Sequence, residues 1–369
     1  MSPSILLDGA ILGLQRVGGV RRIFEQLLLA LAVAPGPELL VHVPFKTPFE
    51  ARVPERVRWV RDWDFRPWRI AQRANALRIR RACRQERVNV YHSLWFADPP
   101  CPGLRTAVTI CDMAHELQPA LRHDEESRRL KKRAIVGADL CIAISEQTKR
   151  DIIQVAGIRE EKVRVIHLGV TDAFLAPASP DSVAGFRARH HIEGPYWVHV
   201  GCRGGYKNFD KAVEGFSRIA ADTNGHLVVV GGEDGLGGNA ETMLTSSGCS
   251  QRVVRLPRVD DLELNAIYSG AAGLVSTSLA EGFGLPLLEA AGSGTLSVVS
   301  DIPVYREVLG DSAVFVNPLD ACSIAEGMKA SLRDDFCSWC KTGARARAAE
   351  FTWEKAAAEH VRAYQDLVA

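Results

Sequence analysis

A chain of 369 residues exceeds what one ordinary hydrophobic core holds and suits two domains. Its 45 Lys and Arg against 44 Asp and Glu give a formal net charge of +1, which excludes a polycation or polyanion as a whole. Residues 1–180 nevertheless carry 28 basic against 20 acidic side chains and the remainder 17 against 24, so the halves are +8 and −7, a division that fits an anionic partner for the first half or simply uneven solvated faces.

The N-terminal MSPSILLDGAILG enters an apolar run at once and lacks the charged and long apolar regions of a signal peptide. No segment reaches 18 consecutive apolar residues, so no membrane-spanning helix is expected. Apolar runs of strand length then recur at 5–12, 38–44, 89–96, 106–112, 139–145 and 162–169, separated by helical patterns, as in parallel strands joined by crossover helices. Between the second and third runs, residues 66–87 place Arg66, Arg69, Arg73, Arg80, Arg84 and Arg87 on one helical face beside Ile70, Ala74 and Leu77. Such a face is either solvated or suited to anionic lipid, and the basic cluster at 128–133 adds to the same half. No recognition motif accompanies the charge, so nucleic acid is not expected as a partner. Residues 62–64 form the only Asp-x-Asp, expected as an exposed turn.

A stretch rich in Pro, Ala and Ser at 175–185 has the composition of a linker. The alternation resumes with runs at 196–201, 226–232, 252–257, 272–278, 296–300 and 313–317, and ends in a helical pattern, FTWEKAAAEHVRAYQDL. The expected organisation is a doubly wound α/β domain over 1–178, a second over 185–350, and a final helix over 351–369 returning to the first domain. Ligands of such folds bind at the carboxyl ends of the strands, here in a cleft between the two domains. The nine cysteines are odd in number and scattered, with Cys111 and Cys141 inside apolar runs, which fits the reduced, buried thiols of a cytoplasmic protein. Cys337 and Cys340 form a lone CxxC on a helical pattern with no second pair, which does not suggest zinc or redox chemistry.

Two loops carry chemistry. In EGFGLPLLE, Glu281 and Glu289 flank a loop at the carboxyl end of the run 272–278. Pro286 suits the first helical position, so the stretch Gly282 to Leu285 becomes a helix N-terminus able to attract phosphate. Glu289 would then suit a pair of neighbouring hydroxyls such as those of a ribose, and Glu281 sugar hydroxyls or developing positive charge. In YWVHVGCRGGYKNF, Arg203 and Lys207 occupy the loop after the run 196–201, where two cations and a glycine pair suit a diphosphate, and Asn208 is placed to cap the following helix. Taken singly, each feature is equally compatible with a solvated loop or a charge favouring a helix dipole. Together they point to a nucleotide diphosphate carrying a sugar.

These two elements, with GLQRVGGVRR near the N-terminus, TICDMAHE, ADLCIAISEQTKRDI, VRVIHLGV and FTWEKAA, resemble glycosyltransferase family 4, the retaining nucleotide-sugar transferases of GT-B architecture with two Rossmann-like domains. The resemblance spans nearly the whole chain. It implies that Arg203 and Lys207 neutralise the diphosphate and help it leave, that Glu289 holds the ribose, and that Glu281 with Gly282, Phe283, Gly284 and Leu285 holds the donor sugar. It further implies that Gly18 and Gly19 approach the phosphates from the first domain and that Arg258 and Val259 meet the base. Relatives commonly have His-Asp where this chain has Cys111-Asp112, which makes Asp112 and His115 the first domain's further candidates. The usual Gly-Thr-Pro after the second glutamate is here Gly294-Thr295-Leu296.

The implied reaction is attack by an acceptor hydroxyl on the anomeric carbon of a UDP- or GDP-sugar with retained configuration, without a cofactor and without a metal. The acceptor would be a saccharide or lipid-linked saccharide of bacterial polysaccharide or glycolipid assembly, and the enzyme cytoplasmic, with a peripheral place on an anionic membrane as an option. Four other readings compete. A glycoside hydrolase would use the two glutamates as its acid pair but needs no diphosphate loop. A sugar-nucleotide epimerase of the same architecture would need no acceptor, and a non-catalytic sugar-nucleotide-binding module would follow if the Cys111 departure marked decay, against which the intact Glu281, Glu289, Arg203 and Lys207 speak. A dehydrogenase lacks its glycine fingerprint, since VVVGGEDGLGG has the wrong offsets.

Overall fold

A computed structural model of the chain describes residues 3–15, 18–64, 66, 68–118, 125–232 and 235–369. The chain divides into two compact units, Met1–Gly169 with Thr352–Ala369, and Val170–Phe351.

The first unit is built on a seven-stranded parallel sheet: β1 (Ser4–Asp8), β2 (Glu38–Val43), β3 (Arg58–Arg61), β4 (Val90–Ser93), β5 (Arg105–Ile110), β6 (Leu140–Ala143) and β7 (Val163–Val165), in the order β3-β2-β1-β4-β5-β6-β7. Strands such as SILLD, VYHS and LCIA are buried along their whole length, as expected where helices cover both faces of a parallel sheet. Two expectations change here. The run 5–12 leaves the sheet after Asp8, and Ile11–Leu14 is a short helix that buries Ile11 and Leu12. The added strand Arg58–Arg61 is a sheet edge that buries only Val60, so its apolar signal is weak.

The final helix, Trp353–Val368, is N-capped by Thr352, whose side chain accepts from the Lys355 amide at 3.2 Å, and packs on helix Gly19–Val33 within this unit. Its docking includes a buried polar network. His92 on β4 sits 2.7 Å from the Tyr364 hydroxyl and 2.8 Å from Thr109 Oγ1 on β5. The His360 ring lies 5.7 Å from that of His92, with its Nδ1 2.8 Å from the Ala356 carbonyl.

The second unit carries a six-stranded parallel sheet: β8 (Tyr196–Val200), β9 (His226–Val230), β10 (Val253–Leu256), β11 (Gly273–Ser276), β12 (Ser297–Ser300) and β13 (Val314–Val316), in the order β10-β9-β8-β11-β12-β13. One large core on this sheet gathers Trp197, Phe209, Phe216, Val229, Val298 and Ile324. Burying each such side chain stabilises the fold by about 1.5–3 kcal/mol relative to leaving it in water. Part of the expected linker proves to be structured: Pro180–Arg189 is a helix capped by Ser179, which accepts from the Ser182 amide at 3.2 Å, and anchored by the buried Phe186 against Tyr196.

In both sheets the strand order reverses beside the first strand, between β1 and β4 and between β8 and β11. Loops leaving the carboxyl ends of those strands diverge to opposite sides and leave room for a ligand. In the second unit the loops at that point are 201–208 and 277–284.

Candidate functional site

The loop after β8 turns at Gly201, where φ is +112°, passes through the short 3-10 segment Gly205–Lys207, and enters helix Phe209–Ser217 at Asn208. Beneath it, His199 is buried with Nδ1 3.2 Å from the Val275 carbonyl and Nε2 3.5 Å from the Cys202 carbonyl. A neutral imidazole donates to only one of these, and the shorter contact favours Val275 on β11. Burial pulls His199 down to about 4, against its backbone hydrogen bonds and with help from the Lys207 and Arg203 charges, so it braces the loop as a neutral ring.

Arg203 is half-buried and its Nη1 donates to the Gly231 carbonyl at 2.5 Å. A Cβ on Gly232 would fall 2.7 Å from that same nitrogen, so this residue leaves room for the guanidinium. Asn208 does not cap its helix as expected. Its backbone is left-handed at φ +52°, and Nδ2 instead donates to the carbonyls of Thr277 (3.0 Å) and Pro318 (2.8 Å). Thr277 Oγ1 returns a bond to the Asn208 carbonyl at 2.8 Å, and the Leu279 amide donates to the Tyr206 carbonyl at 2.7 Å. Three of these hydrogen bonds tie the loops leaving β8 and β11 into one platform, and the fourth, to Pro318, ties it to the segment after β13.

On that platform Lys207 meets Glu281. Lys207 Nζ lies 2.6 Å from Glu281 Oε1, with the two side chains 25% and 13% exposed. The same oxygen accepts from Ser278 Oγ at 2.8 Å and from the Tyr305 hydroxyl at 3.3 Å. Desolvation alone would lower the Lys207 pKa, but the Glu281 carboxylate outweighs it and holds the ammonium up to about 12.

The chain then runs through Gly282 and Phe283, both buried, with the Phe283 ring edge-on to Phe351 at 5.7 Å. Gly284 precedes helix Leu285–Gly292 at φ +101°, a conformation that favours glycine, and Pro286 occupies the second helical position, not the first. Glu289 faces inward from this helix: it is buried, and the Tyr268 hydroxyl donates to its Oε2 at 3.3 Å. Exposed Arg258 and half-buried Val259 follow β10, two strands away from β8 at the edge of the sheet.

In the first unit, Gly18 precedes helix Gly19–Val33 with extended backbone, and a Cβ there would strike Gln15 Oε1 at 2.2 Å, whereas Gly19 faces open space. Arg16 and Val17 of the same motif lie outside the described residues. Asp112 Oδ1 accepts from the Ala114 amide at 2.9 Å and shapes the turn into helix Ala114–Leu117, on which His115 is half-buried. Burial, then the adjacent Asp112 carboxylate, push the Cys111 thiol up to about 12, so it is no substitute for an ionisable histidine.

Residues 194–334 match the family described as Glycosyl transferases group 1, and residues 17–174 match Glycosyltransferase Family 4, so the two matches together cover most of the chain. The chain belongs to the group 1 glycosyltransferases of family 4. It is 29% identical over 203 residues to the O-antigen chain mannosyltransferase RfbU of Salmonella typhimurium, a match covering 55% of this chain and 53% of that protein. It is 24% identical over 272 residues to O-antigen chain mannosyltransferase B of Escherichia coli, covering 71% of each. The chain thus spans about half the length of the first of these relatives. The structure of Anabaena HepE in complex with UDP and glucose superposes with a TM-score of 0.77 at 16% identity, over 99% of this chain and 100% of that one, which shows the shared GT-B fold.

Within this family 4 fold, Arg203, Lys207, Glu281 and the Gly282–Leu285 turn lie on the two loops at the β8/β11 switch point. Glu289 follows on the helix from the second loop. Sequence reasoning missed Ser278, Tyr305, Tyr268 and Gly232. Ser278 was within reach, three residues before Glu281, while the others come from distant segments that only the strand order brings near.

Proposed function

We propose that this chain is a retaining hexosyltransferase that moves a hexose from a UDP- or GDP-sugar to an acceptor hydroxyl in the assembly of a bacterial polysaccharide or glycolipid. The observation that carries this reading is the Lys207–Glu281 contact at the switch point, where a cation suited to phosphate and a carboxylate suited to sugar hydroxyls stand side by side. An ammonium has three donors, so Lys207 can hold Glu281 and a phosphate oxygen together. Arg203 and Lys207 would take up charge growing on the departing diphosphate, aided by the N-terminus of helix Leu285–Gly292. Glu281 with Gly282, Phe283, Gly284 and Leu285 would hold the hexose, Glu289 the ribose hydroxyls, and Arg258 and Val259 the base. Gly18, Gly19, Asp112 and His115 are the first unit's candidates. With two cations at the leaving group, no metal is needed for its departure.

The mannosyltransferase relatives favour transfer over the epimerase alternative, and a saccharide or lipid-linked saccharide as acceptor. Thermal shift against UDP, GDP, ADP and their hexoses tests the donor, since a ligand bound only by the folded state raises the melting temperature. One nucleotide sugar should stand out, and a flat response to all of them overturns the proposal. Incubating that sugar nucleotide alone should leave its hexose unepimerised.

A second proposal concerns the acceptor's location. Helix Trp68–Gln85 exposes Arg73, Arg80 and Arg84 on the same face as Ile70 and Leu77, which are 56% and 66% exposed, with exposed Arg66 just ahead of it. Cations interleaved with apolar side chains suit an anionic membrane surface. Among the described residues no helix is long and apolar enough to cross a membrane.

A further inference from the structure

We infer that Tyr305 and Ser278 determine which oxygen of Glu281 is presented to the donor sugar, and so act as positioning residues for that carboxylate. The inference rests on the nucleotide-sugar reading of the site.

Three donors converge on Oε1: Lys207 Nζ at 2.6 Å, Ser278 Oγ at 2.8 Å and the Tyr305 hydroxyl at 3.3 Å. A carboxylate has about four acceptor directions shared between its two oxygens. Crowding three donors onto one oxygen fixes the rotation of the group and turns Oε2 away from them, towards whatever the loop binds. One donor alone, such as the Lys207 ammonium, would leave the carboxylate free to exchange its oxygens.

Tyr305 is suited to this task by its origin. It sits on helix Pro303–Leu309, which follows β12, and β12 lies next to β11 in the sheet, so the phenol reaches Glu281 from the neighbouring crossover. The ring is fully buried. Its hydroxyl lies 2.7 Å from Ser276 Oγ, and because a phenol has one proton, Ser276 must donate to it when it donates to Glu281. The hydrogen-bond chain therefore has one direction, from Ser276 through Tyr305 to Glu281. The same ring also stands under the helix-entry turn: a Cβ on Gly284 would fall 3.1 Å from Tyr305 Cε1. One buried side chain thus sets both the carboxylate and the glycine turn beside it. Burial, reinforced by the Glu281 charge, raises the phenol's pKa well above its ordinary value, so it remains a proton donor.

Calorimetry separates positioning from a merely structural role. The probes are GDP-mannose and UDP-glucose, each compared with its bare nucleotide, and the pair used is the one the native protein binds. Tyr305→Phe should weaken the nucleotide sugar about three- to tenfold and leave the bare nucleotide unchanged, the loss expected for one hydrogen bond. In a Glu281→Ala background, where no acceptor remains to be positioned, the same substitution should have no further effect, because residues acting through one another are not additive. Ser276→Ala combined with Tyr305→Phe removes both hydroxyls, leaves no buried group without a partner, and should show the same selective loss. Equal weakening of nucleotide and nucleotide sugar, no weakening at all, or full additivity with Glu281→Ala would each overturn the inference while leaving the donor reading intact. Failure of the native protein to bind either probe would instead overturn the donor reading, and the inference with it.

Discussion

Lys207 and Glu281, 74 residues apart in the chain, meet at 2.6 Å because β8 and β11 are neighbours in the sheet and their outgoing loops are hydrogen-bonded to each other. The pair is mostly shielded from water and shares its carboxylate with two hydroxyls. Removing either partner therefore leaves a poorly compensated charge, a larger disturbance than the loss of an exposed ion pair.

Lys207→Ala should lower turnover more than donor affinity, because charge on the leaving diphosphate is greater in the transition state than in the ground state. Losing one preorganised electrostatic partner costs on the order of a hundredfold in kcat. Steady-state kinetics with saturating donor check this, and EDTA should leave native turnover unchanged. Full turnover in Lys207→Ala, or loss in EDTA with recovery on Mg²⁺, would count against the assigned chemistry.

Glu289→Gln should keep the fold, since the amide can still accept from the Tyr268 hydroxyl, but weaken nucleotide binding about tenfold by losing a charged acceptor for the ribose. A 2′,3′-dideoxy nucleotide provides the control. Native protein and variant should bind it alike, and an equal loss for both nucleotides would remove the ribose from Glu289.

The strands were legible because continuous Val, Ile and Leu runs such as HLVVV and SILLD can only be buried on both faces. The edge strand RWVR escaped because its two arginines hide one buried valine. Pro180–Arg189 escaped because its composition is that of a linker, although Ser179-Pro180 is a helix-start signal. The two loops of the candidate site were legible as local motifs with charges at fixed offsets. Tyr305 was not, since nothing in PVYREVL marks it as a neighbour of Glu281. Only the adjacency of β11 and β12 does so. The cluster at 128–133 also changes character: Lys131 is buried against Glu116 at 3.0 Å, so it adds nothing to a basic surface.

Acid should destabilise the first unit through His92 and His360. Burial lowers His360 to about 4 and His92 well below its ordinary value, His92 also by the neighbouring His360. With folded values below the unfolded value near 6.5, both rings are neutral in the fold. Their stabilising contribution is fully present above about pH 6.5 and is lost as pH falls through the folded value. The loss should run at about 1.4 kcal/mol per pH unit for each ring. Among the described residues His360 Nε2 has no hydrogen-bond partner, so His360→Leu should cost little at pH 7 and flatten the slope between pH 6.5 and 4. Urea unfolding across that range measures it, and an unchanged slope would exclude His360.

The arginine-faced helix makes a prediction that does not depend on the donor site. Arg66, Arg73, Arg80 and Arg84 are exposed, while the Arg69 side chain lies outside the described residues. Each arginine near an anionic surface contributes about 1 kcal/mol, screened within roughly a Debye length of 10 Å at 0.1 M salt. Replacing the four exposed arginines by Gln should then weaken sedimentation with phosphatidylglycerol vesicles by close to a thousandfold. Raising the salt should release the native protein as well. Leu77→Ser should also weaken binding, but without changing its salt dependence, because it removes an apolar contact and no charge. Catalysis on a short soluble acceptor should persist in all these variants, since none of the proposed site residues lies on this helix. Native protein that ignores such vesicles at low salt would show that the face is only solvated, and the acceptor would then need no lipid.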